Sequence, residues 1–296
     1  MTHFKTVAEF FKSSGFPPPE NPMIGLFPCQ GSCPSGGAEF TGDFYMIAFK
    51  KLKSGVILYG RTKYDSENGS LSFFKPRQTI AFQNLELEEA GFNIVFHEDF
   101  LAGHLLHEEM KKYSFFEYET NEALHLSPKE ETIIWELYRK IEMEYDNNPD
   151  EFSREIMLTH IDSILKYSLR FYKRQFINRK ELSGKMVSRF NEALANYFEK
   201  GYPGIQGLPT ANGMAGQLHL SVRYLSDMLK QETGKTALEL IHVYLINEAK
   251  NRLKGEDQNI SEIAYDLGFE NLPYFSRLFK REVGMSPHQY KKHSLN

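Results

Sequence analysis

At 296 residues, with 41% apolar and 25% charged side chains, the chain has the composition of a soluble globular protein and the length for two domains. Its apolar runs fall far short of the roughly 20 residues a membrane helix needs, its N-terminus lacks the basic-then-apolar form of a secretion signal, and two cysteines make no disulfide framework. A cytoplasmic protein without a membrane partner is expected. The net charge of −4 is unevenly spread: from Lys180 onward there are 15 basic and 13 acidic residues, or +2, which leaves −6 on the rest.

In chain order, residues 2–15 carry Phe4, Val7, Phe10 and Phe11 at helical spacing and predict a short helix. Residues 16–37 hold Pro17, Pro18, Pro19, Pro22, Pro28 and Pro34 with Gly31, Gly36 and Gly37, which predicts an extended arm. From Phe44 to Phe116 the reading is β. The short aromatic and β-branched runs are Phe44–Phe49, Gly55–Tyr59, Leu71–Phe74, Gln78–Phe82 and Gly91–Phe96, with turn residues between them. That spacing suits an antiparallel barrel or jelly roll.

At Ser127 the period changes. Ser127 as N-cap, Pro128 at the first position and two acids in the first turn open a helix striped by Ile133, Ile134, Leu137, Ile141 and Tyr145. A second helix follows the break at residues 147–150 and runs to about Phe176, giving a helical pair over about 127–176. Its apolar surface is wider than packing on one barrel requires, so it suits either a dimer contact or an intramolecular bundle. The polar and basic stretch 178–185 reads as a linker. It separates a domain over 1–177 from one over 186–296, whose first helix is striped by Val187, Phe190, Leu194, Tyr197 and Phe198.

Two further helical pairs follow. In residues 210–234, Met214, Ala215 and Leu218 stripe one helix, His219-Leu220-Ser221 turns a corner, and Leu225, Met228 and Leu229 stripe the next. Val222, Arg223, Ser226, Asp227 and Lys230 are left facing outward, with Ser221 as the cap. A connecting helix over 236–254 would bury Leu238, Ile241, Leu245, Ala249 and Leu253. In residues 259–287 the pattern repeats. Ser261 is the expected cap, Ile260, Ile263, Ala264 and Leu267 form the first stripe, Gly268 makes the corner, and Tyr274, Phe275, Leu278 and Phe279 form the second stripe. Asn271, Leu272, Pro273, Ser276, Arg277, Lys280 and Arg281 lie on the outer side. One helix–glycine–helix pattern is also what an ordinary core hairpin shows. Two on one connecting helix suit a pair of helix-turn-helix units whose second helices enter successive major grooves, about 34 Å apart.

From about Leu208 to Lys292 the chain resembles the C-terminal domain of AraC-type transcriptional regulators. The resemblance rests on Ile260-x-x-Ile263-Ala264, Leu267-Gly268-Phe269, Tyr274-Phe275-Ser276-Arg277-x-Phe279-Lys280 and Gly284-x-Ser286-Pro287. It implies an α+β multidomain chain: an N-terminal antiparallel, cupin-like β-barrel with a helical pair, then an all-α double helix-turn-helix domain. It also implies double-stranded promoter DNA as partner, a small-molecule effector in the barrel, a homodimer, and RNA polymerase as a further partner. The arm over 16–37 would lie across the effector pocket or simply pack on the barrel. DNA contacts are implied at Ser221, Val222, Arg223, Ser226, Asp227 and Lys230 in the first unit. In the second they fall on Asn271, Leu272, Pro273, Ser276, Arg277, Lys280 and Arg281. Arg223 and Arg277 suit guanine, Asp227 suits cytosine or the orientation of Arg223, and Asn271 suits a phosphate. Asn212-Gly213 and Pro273 depart from the family pattern.

No cofactor, metal or catalysis is expected. A cupin metal site needs two histidines flanking one residue, and no His-x-His occurs. His97, His104 and His107 with Glu98 and Glu108 are the nearest grouping, and their spacing does not alternate on a strand. Cys29 and Cys33 suit reduced thiols, a redox pair or half a zinc site. No phosphate-binding glycine loop or nucleophile elbow is present. Two alternatives remain beside the sensor: a ligand-free regulator whose barrel dimerises or docks a partner, and a cupin-type enzyme with a DNA-binding tail.

Overall fold

The computed structural model describes residues 2–28, 39–51, 57–59, 62–64, 69–80, 91–119, 122–178, 180–254 and 259–294, without the side chains of 57–59, 62–64, 177–178, 180–185 and 294. Two compact units divide the chain, residues 1–175 and 176–296. Cys29 and Cys33, Gly55 and Val56 of the Gly55–Tyr59 run, and Ala81 and Phe82 of the Gln78–Phe82 run lie outside the described residues.

The first unit is α+β. Strand β1 (Thr2–Phe4) precedes helix α1 (Val7–Ser13), and β2 (Ile24–Pro28), β3 (Phe40–Gly42), β4 (Phe44–Lys50), β5 (Ile57–Tyr59), β6 (Thr62–Tyr64), β7 (Ser70–Phe74) and β8 (Phe92–His97) follow. Then come α2 (Leu105–Glu109), β9 (Leu124–His125), α3 (Pro128–Tyr145) and α4 (Ser153–Asn178). Five strands form an antiparallel sheet in the order β2-β8-β4-β7-β9, while β1 pairs parallel with β3 and β5 pairs with β6.

Strand alternation sorts the aromatic residues onto two faces. Phe44, Met46 and Ala48 of β4 join Phe4, Phe10, Phe11, Phe27 and Phe40 in one buried cluster, with the Phe10 ring 5.2–5.9 Å from those of Phe27, Phe40 and Phe44. On the other face Phe49 stacks on Phe92, and Phe92 stacks in turn on Tyr138 of α3 at 4.0 Å. Phe44, Phe49 and Phe73 are thus core, and Tyr45 stacks on Phe96.

Three sequence expectations change in this unit. The helix expected over 2–15 is confined to Val7–Ser13, because Thr2–Phe4 pairs with Phe40–Gly42. The arm is not wholly extended loop: Ile24–Pro28 pairs with Phe92–Phe96 as an edge strand, where Pro28 at the strand end loses no ladder bond. Of the Gln78–Phe82 run, the described part makes one isolated bridge, Ile80 to Phe40. The helix opening at Ser127 forms as read, with the Ser127 N–H donating to Glu130 at 2.8 Å.

The second unit is helical: α5 (Lys180–Glu199), α6 (Pro203–Gln206), α7 (Ala211–Leu218), α8 (Val222–Thr233), α9 (Ala237–Leu253), α10 (Ile260–Asp266), α11 (Leu272–Val283) and α12 (Pro287–Ser294). The backbone is helical from Lys180, so most of the stretch read as a linker is helix. One core joins these elements through Phe190, Leu194, Met214, Leu225, Leu229, Ile241, Leu245, Ile263, Phe275 and Phe279. Leu238, expected inside, is 51% exposed, because it sits in the first turn of α9 beyond the reach of α8 and α10.

Candidate nucleic-acid interface

Helices α7 and α8 form the first helix-turn-helix unit, and α10 and α11 the second. Each rests on caps written in the sequence. Thr210 accepts from the Gly213 N–H at 3.0 Å, which puts Gly213 in the first turn of α7, where glycine costs little. Ser221 accepts from the Tyr224 N–H at 3.2 Å and Asn271 from the Tyr274 N–H at 2.9 Å, so α8 and α11 begin alike. Both end on a left-handed glycine, Gly234 and Gly284. The cap of α10 is Asn259 rather than Ser261. The Asn259 side chain accepts from the Glu262 N–H and the Asn259 N–H donates to the Glu262 carboxylate in return, and this capping box leaves Ser261 inside the helix.

The corners differ. His219 takes the left-handed conformation (φ 57°) and is exposed. Gly268 does so (φ 89°) while buried against the α6 segment, where an added Cβ would lie 2.7 Å from Gly207 backbone atoms. Gly207 is itself left-handed, and its carbonyl accepts from the Tyr197 hydroxyl at 3.0 Å. The sequence reading missed this clasp, although three glycines three apart (Gly201, Gly204, Gly207) marked a segment of close backbone approach.

The thirteen residues expected at DNA sort by burial. Arg223, Lys230, Asn271, Pro273, Arg277, Lys280 and Arg281 are exposed, and Ser221, Ser226, Asp227 and Ser276 are half-buried at the flanks. Val222 and Leu272, expected outward, pack partly on the core, since each opens its helix one turn before a buried residue. Conversely Tyr274, expected inside, is 37% exposed, while Tyr224 at the matching place is fully buried.

On α8, the Arg223 Nε lies 3.4 Å from the Asp227 carboxylate, one turn away. On α11, Arg277 and Lys280 have no ion pair among the described residues. Arg281 turns sideways: it pairs with Glu282 at 2.8 Å and donates to His242 Nδ1 on α9 at 3.2 Å. Burial, then the neighbouring Arg281 cation, hold the His242 imidazole below its usual pKa, against the opposing pull of Glu282 and Glu239. A neutral imidazole is the form that can accept from Arg281. A groove of about 750 Å³ in this unit, lined by Phe198, Ile205, Tyr265 and Asp266 among others, contains none of the thirteen.

In the first unit of the fold, the expected His97, His104 and His107 grouping is dispersed into local bonds. His97 Nδ1 accepts from the Asp99 N–H, and His104 Nδ1 accepts from the Leu106 N–H while its Nε2 meets Glu155 at 3.2 Å.

The helix-turn-helix domain family matches residues 214–293, which contain both α8 and α11. The HTH-type transcriptional activator RhaS of Escherichia coli (strain SMS-3-5 / SECEC) is 24% identical over 259 residues, spanning 86% of this chain and 87% of RhaS. The chain therefore contains a helix-turn-helix domain and is similar to an HTH-type transcriptional activator. Two solved structures similar to this chain are a transcriptional regulator with an AraC-type DNA-binding domain from Chromobacterium violaceum, and the DNA-binding domain of AdpA in complex with a target DNA. The first is 18% identical, with a TM-score of 0.33, covering 38% of this chain and 97% of that one. The second is 21% identical, with a TM-score of 0.31, covering 35% and 90%. The matched helix-turn-helix domain supports binding to double-stranded DNA. Among its described residues no helix is long and apolar enough to cross a membrane.

Proposed function

We propose that this regulator reads a promoter through both helix-turn-helix units of one domain over about 186–296, with α8 and α11 in successive major grooves. The observation that carries this is the duplicated outer face: two equally capped twelve-residue helices, each presenting an arginine and a lysine away from a shared core. In this reading Arg223 and Arg277 take guanine edges. Lys230, Lys280, Ser226 and Ser276 hold phosphates, and Ser221 and Asn271 mainly fix the helix starts. Arg281, tied to His242 and Glu282, braces α11 on α9 rather than reading bases. On a selected site, Arg277→Ala should cost about 1–3 kcal/mol and relax preference at one base pair. Lys280→Ala should weaken all DNA alike and lower the salt slope by about 1. Equal loss of selectivity from both would sink the division.

The domain over about 1–177 would hold a cupin-like barrel, dimerise through α3 and α4, and change how the DNA-binding domains are presented when a small effector binds. Activation, the activity of the RhaS relative, and contact with RNA polymerase belong to the same proposal. A second reading is a ligand-free domain that dimerises or docks a partner. Among the described residues, the cleft between Phe73, Phe115 and Tyr172 is about 10 Å³, room for about one water. Thermal shift against a metabolite panel separates the two, since a ligand at 100 times its Kd adds about 2.7 kcal/mol.

A further inference from the structure

The two recognition helices can be aligned residue by residue, because both caps fix them. Ser221 and Asn271 cap the starts, Gly234 and Gly284 the ends, and each helix has 12 residues, so every position in α8 has a partner exactly one unit later in α11. Three outer groups are the same in both: Ser226 with Ser276, Lys230 with Lys280 and Glu232 with Glu282. Three outer positions differ. At one, Gln231 stands where α11 has Arg281, which is tied sideways to His242 and Glu282. The other two differ in an exchanged way. Where α8 has Arg223, α11 has Pro273; where α8 has Asp227, α11 has Arg277. The position that presents a free arginine in the second unit thus holds, in the first, a carboxylate 3.4 Å from an arginine one turn nearer the N-terminus.

We infer that the two units read guanine in different registers, and that Asp227 is the positioning residue that sets the register of the first. The inference rests on the reading that both helices enter the major groove. The shared serines and lysines serve contacts that any DNA offers, namely phosphates, which the shared Glu232 and Glu282 carboxylates cannot. Exposed groups that differ and are free to reach the bases carry sequence. Arg223 is held: it stands in the first turn of α8 with half of its side chain exposed, and the Asp227 pair narrows the rotamers its guanidinium samples. The Asp227 carboxylate on Nε leaves both terminal nitrogens of the fork for guanine O6 and N7. Arg277 starts four residues further along its helix, about 6 Å at 1.5 Å per residue. In a groove-bound helix that reads one base every three to four residues, this is about one base pair, and at most about two by axial rise. The half-elements are therefore unlike. Their guanines are separated by one helical repeat of about 10 base pairs, plus or minus one or two.

The test is selection of bound sequences from a random pool by the full-length protein, run in parallel for wild type, Asp227→Asn, Arg277→Ala and the double variant Arg223→Pro with Asp227→Arg. Proline is compatible with that place in the first turn, as Pro273 demonstrates in α11. Wild type should enrich two guanines offset from the helical repeat. Asp227→Asn should lower preference for the first guanine by about tenfold and leave the second intact. Arg277→Ala should erase only the second. The double variant gives the first unit the arrangement of the second, so its guanine should move by one or two base pairs while the second stays in place. Identical half-elements at one repeat, or a guanine that does not move in the double variant, would overturn the inference. So would loss of a cytosine, with the guanine unchanged, in Asp227→Asn, since that makes Asp227 a base reader. Failure of the wild type to enrich any site would overturn the underlying reading as well; enrichment with unmoved guanines overturns the register alone.

Discussion

The two helix-turn-helix units share a core pattern and a capping scheme, and they part at the corner. In the second, Gly268 is buried against Gly207 and must be glycine twice over, for its left-handed φ of 89° and for room. In the first, His219 takes a left-handed φ of 57° in the open, so nothing but backbone strain opposes its side chain. One corner is a packing joint and the other only a bend. The outer faces then diverge on top of that difference, with Arg223 braced on α8 and Arg277 on α11 without an ion pair among the described residues.

The comparison breaks most visibly at Gly268. Gly268→Ala should cost about 3 kcal/mol, from a left-handed alanine plus a clash with backbone that cannot swing away. Gly284→Ala, with open space around it, should cost only about 1 kcal/mol. Denaturant midpoints of the two variants compare them directly, and equal losses would mean that the clasp with Gly207 contributes nothing. Next come the caps: Ser221→Ala and Asn271→Ala should each cost about 1 kcal/mol, since each side chain satisfies one first-turn N–H. A much larger loss at either would show that the two helix starts are not equivalent. His219→Gly should stabilise the first unit by about 0.5–1 kcal/mol, read as a rise in melting temperature. No gain there would mean that the histidine makes a compensating contact.

The smallest effect is in pH and belongs to the second unit alone, because the place of Arg281 is taken in α8 by Gln231. His242 has its folded pKa lowered by burial and then by Arg281. The unfolded chain therefore takes up the proton first, at about pH 6.5. Its stabilising contribution is complete above that pH and is lost as pH falls through the lower, folded value. His160, held low by burial and by Lys140, acts in the same direction in the N-terminal unit. Melting temperature should fall between about pH 7 and pH 5, and His242→Gln should flatten part of that slope. An unchanged slope would remove His242 from the account.

How much of this was legible in the sequence follows from where the information lies. Periodicity marked the stripes of α8, α9 and α11 because one core collects them, and Leu225, Leu229, Ile241, Phe275 and Phe279 are buried as read. It misassigned Leu238 and Tyr274, whose spacing is helical but whose side chains are exposed; only tertiary packing decides that. Local hydrogen-bond chemistry was readable at Ser127 and Ser221, yet it favoured Ser261 over Asn259, two residues apart and both good caps. Long-range pairing was the least readable. The proline-rich arm contributes Ile24–Pro28 to the sheet because Phe92–Phe96, some 70 residues on, offers an open edge. At the interface the outward side chains were legible as a set. Their partners were not, since neither the His242 bond to Arg281 nor the contact of Gly207 with Gly268 leaves a periodic trace.

The central claim is that one chain reads DNA through two unlike helices. It is tested most directly by selecting bound sequences with the purified full-length protein at near-physiological salt. The account predicts enrichment of a site with two non-identical half-elements about one helical turn apart. Enrichment of a single half-element, or none with either the full chain or residues 180–296, would contradict it.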